Sequence, residues 1–444
     1  MANIFLITLG CPKNQVDSEI IAGIISREKK FQLVDDCYYA DIVIINTCGF
    51  IQDAKEESIQ TIFEAVQLKE KGIIKGIIVS GCLTQRYPEE IFNEIPEIDA
   101  VLGTGTFGKI NGVIDAVLEG KRINNIGSPA FNYDSSLPRI LTQKHYAYVK
   151  IAEGCNNNCS YCSIPKIRGP YYSRPMEDIQ DEVKILTDSG VKEIIIIAQD
   201  ITRYGEDIYG KRVLVKLLER LLENNDIKWL RLMYAYPESI TDELLELMAK
   251  EDRICNYLDI PIQHSSDRIR KLMNRRGSRE DLLLLIKKVR SYIPDIVLRT
   301  SLIVGFPGES TEDFQDLLNF VQEVSFGRLG VFKYSAEEGT AAYNIRPQIP
   351  DKIKIERQAK IMEFQQKISY NNNQSMLNKE LEVIVDEITD AAILARTKYD
   401  APDIDNQVYL PFSNLRIGDI RSCIIKQAYE YDLIGELKNE YIKD

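Results

Sequence analysis

No apolar run in these 444 residues approaches the roughly 20 that a membrane-spanning helix needs, so a bilayer span is excluded. The opening stretch, MANIFLITLGCPKN, also lacks the positive flank and long apolar segment of a secretory leader. A cytoplasmic location is therefore the expectation, and cysteines in a reducing compartment are not expected to be paired. Positive charge is in deficit, with 55 Lys and Arg against 67 Asp and Glu and a formal net charge of −12. A general nucleic-acid binder neutralises phosphates, so stable nucleic-acid binding is not expected of this chain. A fourth cysteine is also missing where one would look for it. Residues 153–165 read EGCNNNCSYCSIP, and after Cys155, Cys159 and Cys162 the next cysteine is Cys255. A disulfide framework needs partners in pairs, and a structural zinc site needs four ligands. Three thiolates and a vacancy suit a 4Fe–4S cluster with one iron left open to a small molecule.

The chain is too long for one ordinary core, and its 44% apolar and 27% charged residues are those of a globular protein, so two or three domains are expected. Residues 1–122 alternate short β-branched runs (IFLIT, DIVIIN, GIIVS) with helical stretches beginning near Gln15, Gln52 and Pro88. That pattern predicts an open parallel α/β sheet. Residues 123–140 are rich in Gly, Asn, Ser and Pro and read as a linker. From YAYVKIAEG (146–154) the βα pattern restarts, and five more strands follow: EIIIIAQD, WLRLMYAYP, YLDIPIQH, VLRTSLIVGFP and GRLGVFKYS. Six units without a closing pair predict an incomplete TIM-type barrel over 141–376, with its site at the C-terminal strand ends. Residues 377–444 hold short alternating strands and predict a small all-β barrel of OB type.

Three further cysteines share one structural place. Cys11, Cys48 and Cys82 each follow a buried strand of the N-terminal sheet, in TLGC, NTCGF and SGCLTQ. Such strand ends converge on a crevice where ligands bind, so these thiols are candidates for a second cluster. Cys37, Cys255 and Cys423 have no such placement and read as structural. Among the strand-end residues Gln199, His264 and Gly305 stand out, the last because glycine lets backbone approach a ligand. His264 is one of only two histidines; it is as consistent with a structural role as with a pocket. His145 reads as linker and Trp229 as core.

The CxxxCxxC motif with Tyr161 before its last cysteine resembles the radical S-adenosylmethionine (SAM) superfamily, which uses a partial barrel. In that superfamily SAM chelates the open iron, the aromatic residue at Tyr161 lies near the adenine, and the segments at Gln199 and Gly305 lie beside SAM. The two triads together, in this domain order, resemble the methylthiotransferase family over essentially the whole chain. The resemblance implies two 4Fe–4S clusters and SAM as cofactors, a C-terminal TRAM barrel, and a reductant such as flavodoxin or ferredoxin. It further implies that the N-terminal cluster carries the sulfur of the product and that a radical from SAM removes a hydrogen from an unactivated carbon.

The stretches TLGCPKNQVDSE, NTCGFIQDAKEESI, AQDITRYGEDIYG, DIPIQHSSD and ARTKYDAPDIDNQV resemble the branch that modifies an aspartate β-carbon on small-subunit ribosomal protein S-twelve. Asn406 stands where that branch usually has glycine. From Lys379 to Asp444 the barrel has 8 basic against 14 acidic residues, a balance of −6. An acidic barrel suits a basic ribosomal protein better than RNA, and Asp400, Asp403 and Asp405 are expected at its surface as the docking residues. The alternatives are a transfer-RNA adenosine methylthiotransferase and a non-catalytic iron–sulfur scaffold; the latter needs the cysteines but not the SAM-facing strand ends.

Overall fold

A computed structural model describes residues 1–129 and 133–438. The middle of the linker expected at 123–140 and the last six residues of the barrel expected at 377–444 lie outside the described residues. The N-terminal sheet consists of β1 (Ala2–Thr8), β2 (Phe31–Leu33), β3 (Ile42–Thr47), β4 (Gly76–Gly81), β5 (Ala100–Leu102) and β6 (Ile123–Asn125). They are all parallel, in the order β2-β1-β3-β4-β5-β6. Every residue of β3 and β4 is buried, as their unbroken apolar runs require of a sheet covered on both faces. Because β6 adds to this sheet, the N-terminal domain runs past residue 122 and the linker starts later than the Gly/Asn composition suggested. The first helix, α1 (Pro12–Ser26), begins at Pro12 rather than Gln15, since proline's fixed φ suits a first helical position. The second, α2, spans Gln52–Glu70. A short helix, α3 (Cys82–Arg86), precedes the one expected near Pro88.

The second sheet begins with β7 (Tyr146–Lys150), after which β8 (Ala152–Glu153) and β9 (Tyr172–Ser173) form a small hairpin around the CxxxCxxC loop. It continues with β10 (Glu193–Ile197), β11 (Trp229–Leu232), β12 (Ile254–Asp259), β13 (Val297–Val304) and β14 (Arg328–Lys333). β7 and β10 to β14 run parallel in chain order, an open six-stranded partial barrel. After the helix Asp351–Gln374, the strands β15 (Glu380–Ile388), β16 (Ile393–Thr397), β17 (Gln407–Leu410), β18 (Ile420–Ala428) and β19 (Asp432–Leu437) close a five-stranded barrel.

The small barrel seals the N-terminal end of the large one, and this overturns part of the docking expectation. Asp400 is 1% exposed. Arg328 donates to it through Nε at 2.8 Å, and Thr397 donates at 2.7 Å. Asp405 is also buried at its side chain; it accepts from the Tyr257 hydroxyl at 2.7 Å and pairs with Arg299 at 3.5 Å. Neither carboxylate is a surface group, because β-barrel arginines near the strand starts draw both inward. Asp403 remains exposed, at φ +68°, with the Tyr146 hydroxyl donating to it. The left-handed residue of this turn is Asp403, and Asn406 does not adopt a positive φ, so glycine is not required there. His145 is likewise no linker residue: it is 3% exposed and its Nε2 lies 2.7 Å from Asp386 of the small barrel. Trp229 is fully buried, as expected, with its indole N–H on Glu382. Cys255 and Cys423 are buried in core positions, while Cys37 is half-buried.

Removing one partner of a buried ion pair strands the other charge, which costs about 3–5 kcal/mol. Asp400→Ala is therefore expected to loosen the junction of the two barrels, seen as faster release of the C-terminal barrel in limited proteolysis.

Candidate active site

Strand register brings the first triad together. Thr8 lies opposite Asn46, and Asn46 opposite Ser80, so β1, β3 and β4 end on one edge and their cysteines emerge side by side. The topology reverses between β2 and β3 around β1, so this edge is the switch-point crevice of the sheet. Gly10 (φ +91°) is needed there: a Cβ would lie 2.7 Å from the Cβ of Cys48. The Ser58 hydroxyl clamps Cys48, accepting its N–H at 3.1 Å and donating to its carbonyl at 2.9 Å. Cys11 is exposed, whereas Cys48 and Cys82 are buried. Burial, with the Cys82 and Cys11 thiols close by, pushes Cys48 up to about 12.

The second triad lies on the loop after β7. Cys155 donates its N–H to Gly169 at 3.1 Å, and Ser160 is held by the carbonyls of Met273 and Leu272. Arg275 stacks on the Tyr236 ring at 4.0 Å and points an Nη1 at the Cys159 sulfur. Burial pushes Cys162 up to about 12, with Cys159 and Cys155 adding to the effect. Both triads thus hold three free thiols, and in each of them two, Cys48 and Cys82 and then Cys155 and Cys162, are held protonated by burial until a cation arrives, the behaviour of ligands that release protons when metal binds. Among the described residues no three His, Cys, Asp or Glu side chains close around a single ion. A cubane spreads its thiolates over separate corners, so this donor set fits a cluster on each triad.

The two edges face each other across a buried polar network. Arg168, 3% exposed, donates to the Cys82 sulfur at 3.2 Å and to Asn14 at 2.5 Å, both of the N-terminal domain. It also donates to Asp17 at 2.7 Å and to Glu153 at 3.3 Å. Lys150 joins the same two carboxylates at 2.5 and 2.9 Å. Burial works against the Arg168 charge, but Cys82, Asp17 and Glu153 outweigh it and hold its pKa above the usual range. Further along, Glu337 receives both Lys55 and Arg86 of the N-terminal domain at 2.8 and 2.6 Å. Motif reading missed Arg168, Glu153, Lys13 and Tyr234, because their importance comes from the meeting of two domains. The only local signal is a lysine in the first turn of α1, where a helix disfavours a cation.

The remaining candidates separate. Gln199 donates to Glu153 at 2.6 Å, and its Oε1 is buried without a partner among the described residues, an acceptor free for a ligand's N–H. Tyr161 packs with Ile269, Met273, Phe306, Tyr334 and Ala342. Gly305 has φ +72°, but a Cβ would strike the Lys354 stem at 2.3 Å, so the missing side chain makes room for protein rather than for ligand. His264 is fully buried; its Nδ1 accepts from the Ser266 N–H, which leaves the proton on Nε2. Burial lowers its pKa to about 3.

Residues 149–321 match the radical SAM superfamily, 3–103 a family described as uncharacterized protein family UPF0004, and 379–437 the TRAM domain. The ribosomal protein uS12 methylthiotransferase RimO of Clostridioides difficile is 49% identical over 443 residues, spanning 99% of this chain and 100% of its own. Its counterpart in Desulforamulus reducens is 50% identical over 98% of this chain and 100% of its own. The chain belongs to the RimO family of uS12 methylthiotransferases. Among solved structures, the radical SAM methyltransferase TsrM of Kitasatospora setae aligns with a TM-score of 0.55 at 14% identity over 75% of each chain. The cobalamin-dependent radical SAM enzyme OxsB aligns with a TM-score of 0.51 at 13% identity over 81% of this chain and 56% of its own. These two show a shared fold, while the RimO relatives define the family.

Changing Cys155, Cys159 and Cys162 to Ala is expected to abolish SAM cleavage and keep roughly half of the iron, since each cubane carries four irons. Changing Cys11, Cys48 and Cys82 to Ala is expected to remove the other half while SAM cleavage persists; iron analysis and 5′-deoxyadenosine assay read both. His264 supplies a separate test. A histidine with its pKa depressed in the fold stabilises above its unfolded value of 6.5, and that contribution is lost as pH falls toward 3. His264→Gln should therefore flatten the fall in melting temperature between about pH 6.5 and 4.

Proposed function

We infer that this chain transfers a methylthio group to ribosomal protein uS12, at the β-carbon of an aspartate. The observation that carries the reading is the facing of two three-thiol edges, fixed by the Arg168–Asp17–Lys150–Glu153 network, within a chain of the RimO family. Cys11, Cys48 and Cys82 would hold one 4Fe–4S cluster, and Cys155, Cys159 and Cys162 the other. When bound, the clusters and SAM supply the sulfur, the methyl group and the hydrogen-abstracting radical. The chain's own residues orient and insulate that chemistry. Gln199 offers its free Oε1 to the SAM ammonium, Tyr161 borders the adenine from the apolar group around Phe306, and the Gly305 backbone flanks the same strand ends. Buried ion pairs between the edges fix their separation and keep bulk water out of the gap, as a reactive radical requires.

The TRAM barrel carries the partner. Its net of −6 suits a basic ribosomal protein, and its exposed carboxylates include Glu387, Asp390, Asp403 and Glu436. Among the described residues no helix is long and apolar enough to cross a membrane, and the proposed site of action is the cytoplasm, where ribosomes are. Flavodoxin or ferredoxin serves as reductant in this reading, and no nucleic acid is held stably.

Mass spectrometry of uS12 and of transfer RNA, from cells lacking and then regaining this chain, tests the assignment. The expected outcome is a methylthio mass increment on one uS12 aspartate that disappears and returns with the chain. An increment on adenosine instead would overturn it.

A further inference from the structure

Lys13, on the N-terminal of the two facing edges, has a placement that the packing does not explain. It is 9% exposed, two residues after Cys11, in the first turn of α1. That position is electrostatically wrong for it: the N-terminal end of a helix carries partial positive charge, and α1 has no acidic residue in its first turn to offset the lysine. Among the described residues its ammonium has neither an ion-pair nor a hydrogen-bond acceptor. It rests on the face of Tyr234, 3.1 Å from the ring centroid. A cation–π contact of this kind recovers only part of the loss of hydration. Tyr234 is itself held in an unusual state, at φ +65°, with its N–H donating to Asp259 at 3.1 Å. A bulky aromatic at positive φ is a strained backbone, and such strain persists where a side chain must be aimed.

The location gives these two residues a role. Tyr234 follows β11 at the C-terminal end of the partial barrel, and Lys13 follows the first cysteine of the opposite edge. Lys13 lies within electrostatic reach of Cys11 on one side and, on the other, of Glu153, two residues before Cys155, of Asp259 and of Arg168. A buried cation with no carboxylate in direct contact, at the meeting of the two thiol sets, is placed to receive an anion. We propose that Lys13, seated on Tyr234, is a substrate-binding residue that takes the carboxylate of the aspartate to be modified and so sets its β-carbon between the two triads.

The proposal rests on the aspartate reading given above and adds the residue that makes an aspartate preferred. A carboxylate and the isosteric carboxamide differ little in size, so discrimination between them must come from charge. A charge-assisted hydrogen bond in a desolvated site corresponds to a preference on the order of tenfold or more. SAM also carries a carboxylate, and the experiment must separate the two sources.

Two synthetic peptides serve as probes, one with the uS12 sequence around the modified aspartate and one identical except for Asn at that position. Their dissociation constants are measured with the reconstituted full chain, its Lys13→Met variant and its Lys13→Arg variant. Met keeps the length and apolar character of the lysine stem over Tyr234, and iron content and circular dichroism check that each variant is folded and loaded. The wild-type chain is expected to bind the Asp peptide at least about tenfold more tightly than the Asn peptide. Lys13→Met should bring that ratio close to one, and Lys13→Arg should restore most of it. An unchanged ratio in Lys13→Met overturns the proposal. So does a raised KM for SAM with the peptide ratio intact, which would give the lysine to the SAM carboxylate. If the wild-type chain binds neither peptide and methylthiolates adenosine, the uS12 reading itself fails. That failure appears without any variant and is distinguishable from a failure of Lys13 alone.

Discussion

Everything in this molecule that bears on chemistry depends on holding two cysteine-bearing edges at a fixed separation. The constraint is met by a guanidinium, an ammonium and two carboxylates buried between two domains. Arg168 and Lys150 share Asp17 and Glu153, and Arg168 reaches on to the Cys82 sulfur. Buried charges are weak devices for stability, since their desolvation offsets most of their attraction. They are strong devices for geometry, because each is costly unless every partner is in place. A hydrophobic contact would tolerate sliding of one edge against the other; this network does not.

The same logic recurs at the opposite end of the partial barrel. There the small barrel seals the strand starts through Arg328–Asp400, Arg299–Asp405 and Glu193 shared by Arg231 and Arg396. A six-stranded open sheet leaves its interior accessible from below, and the DAPDID turn closes it. The partial barrel is thus pinned by ion pairs at both ends, at one end to the domain that bears Cys11, Cys48 and Cys82 and at the other to the domain proposed to meet the partner. Arg299 touches both sides of this arrangement, pairing with Asp405 below and with Asp259, whose carboxylate accepts the Tyr234 N–H, above.

The fold was legible in the sequence because its signals are local. Unbroken runs such as IVIINT and GIIVSG announce strands buried on both faces, and six βα repeats without a seventh announce an open barrel. Some boundaries were not legible. The strand Ile123–Asn125 is three residues of linker-like composition whose only claim to being a strand is its pairing with β5. His145 sits beside polar residues in sequence, yet it is buried because the small barrel returns to cover it from 241 positions away.

The sequence by itself determined the two cysteine triads proposed as donor sets, since CxxxCxxC on a loop and three strand-end cysteines are patterns of residue type and spacing. It could not say which charges face solvent. Asp400, Asp403 and Asp405 look alike in the run DAPDID, but arginines on strands 72 and 106 residues earlier bury the first and last and leave the middle one outside. Nor could it single out Lys13, Tyr234, Arg168 or Glu153, each unremarkable in its own segment. Burial, ion pairing and strain are properties of a surface only after another part of the chain has arrived to cover it, and for these residues that arrival is decided by tertiary structure.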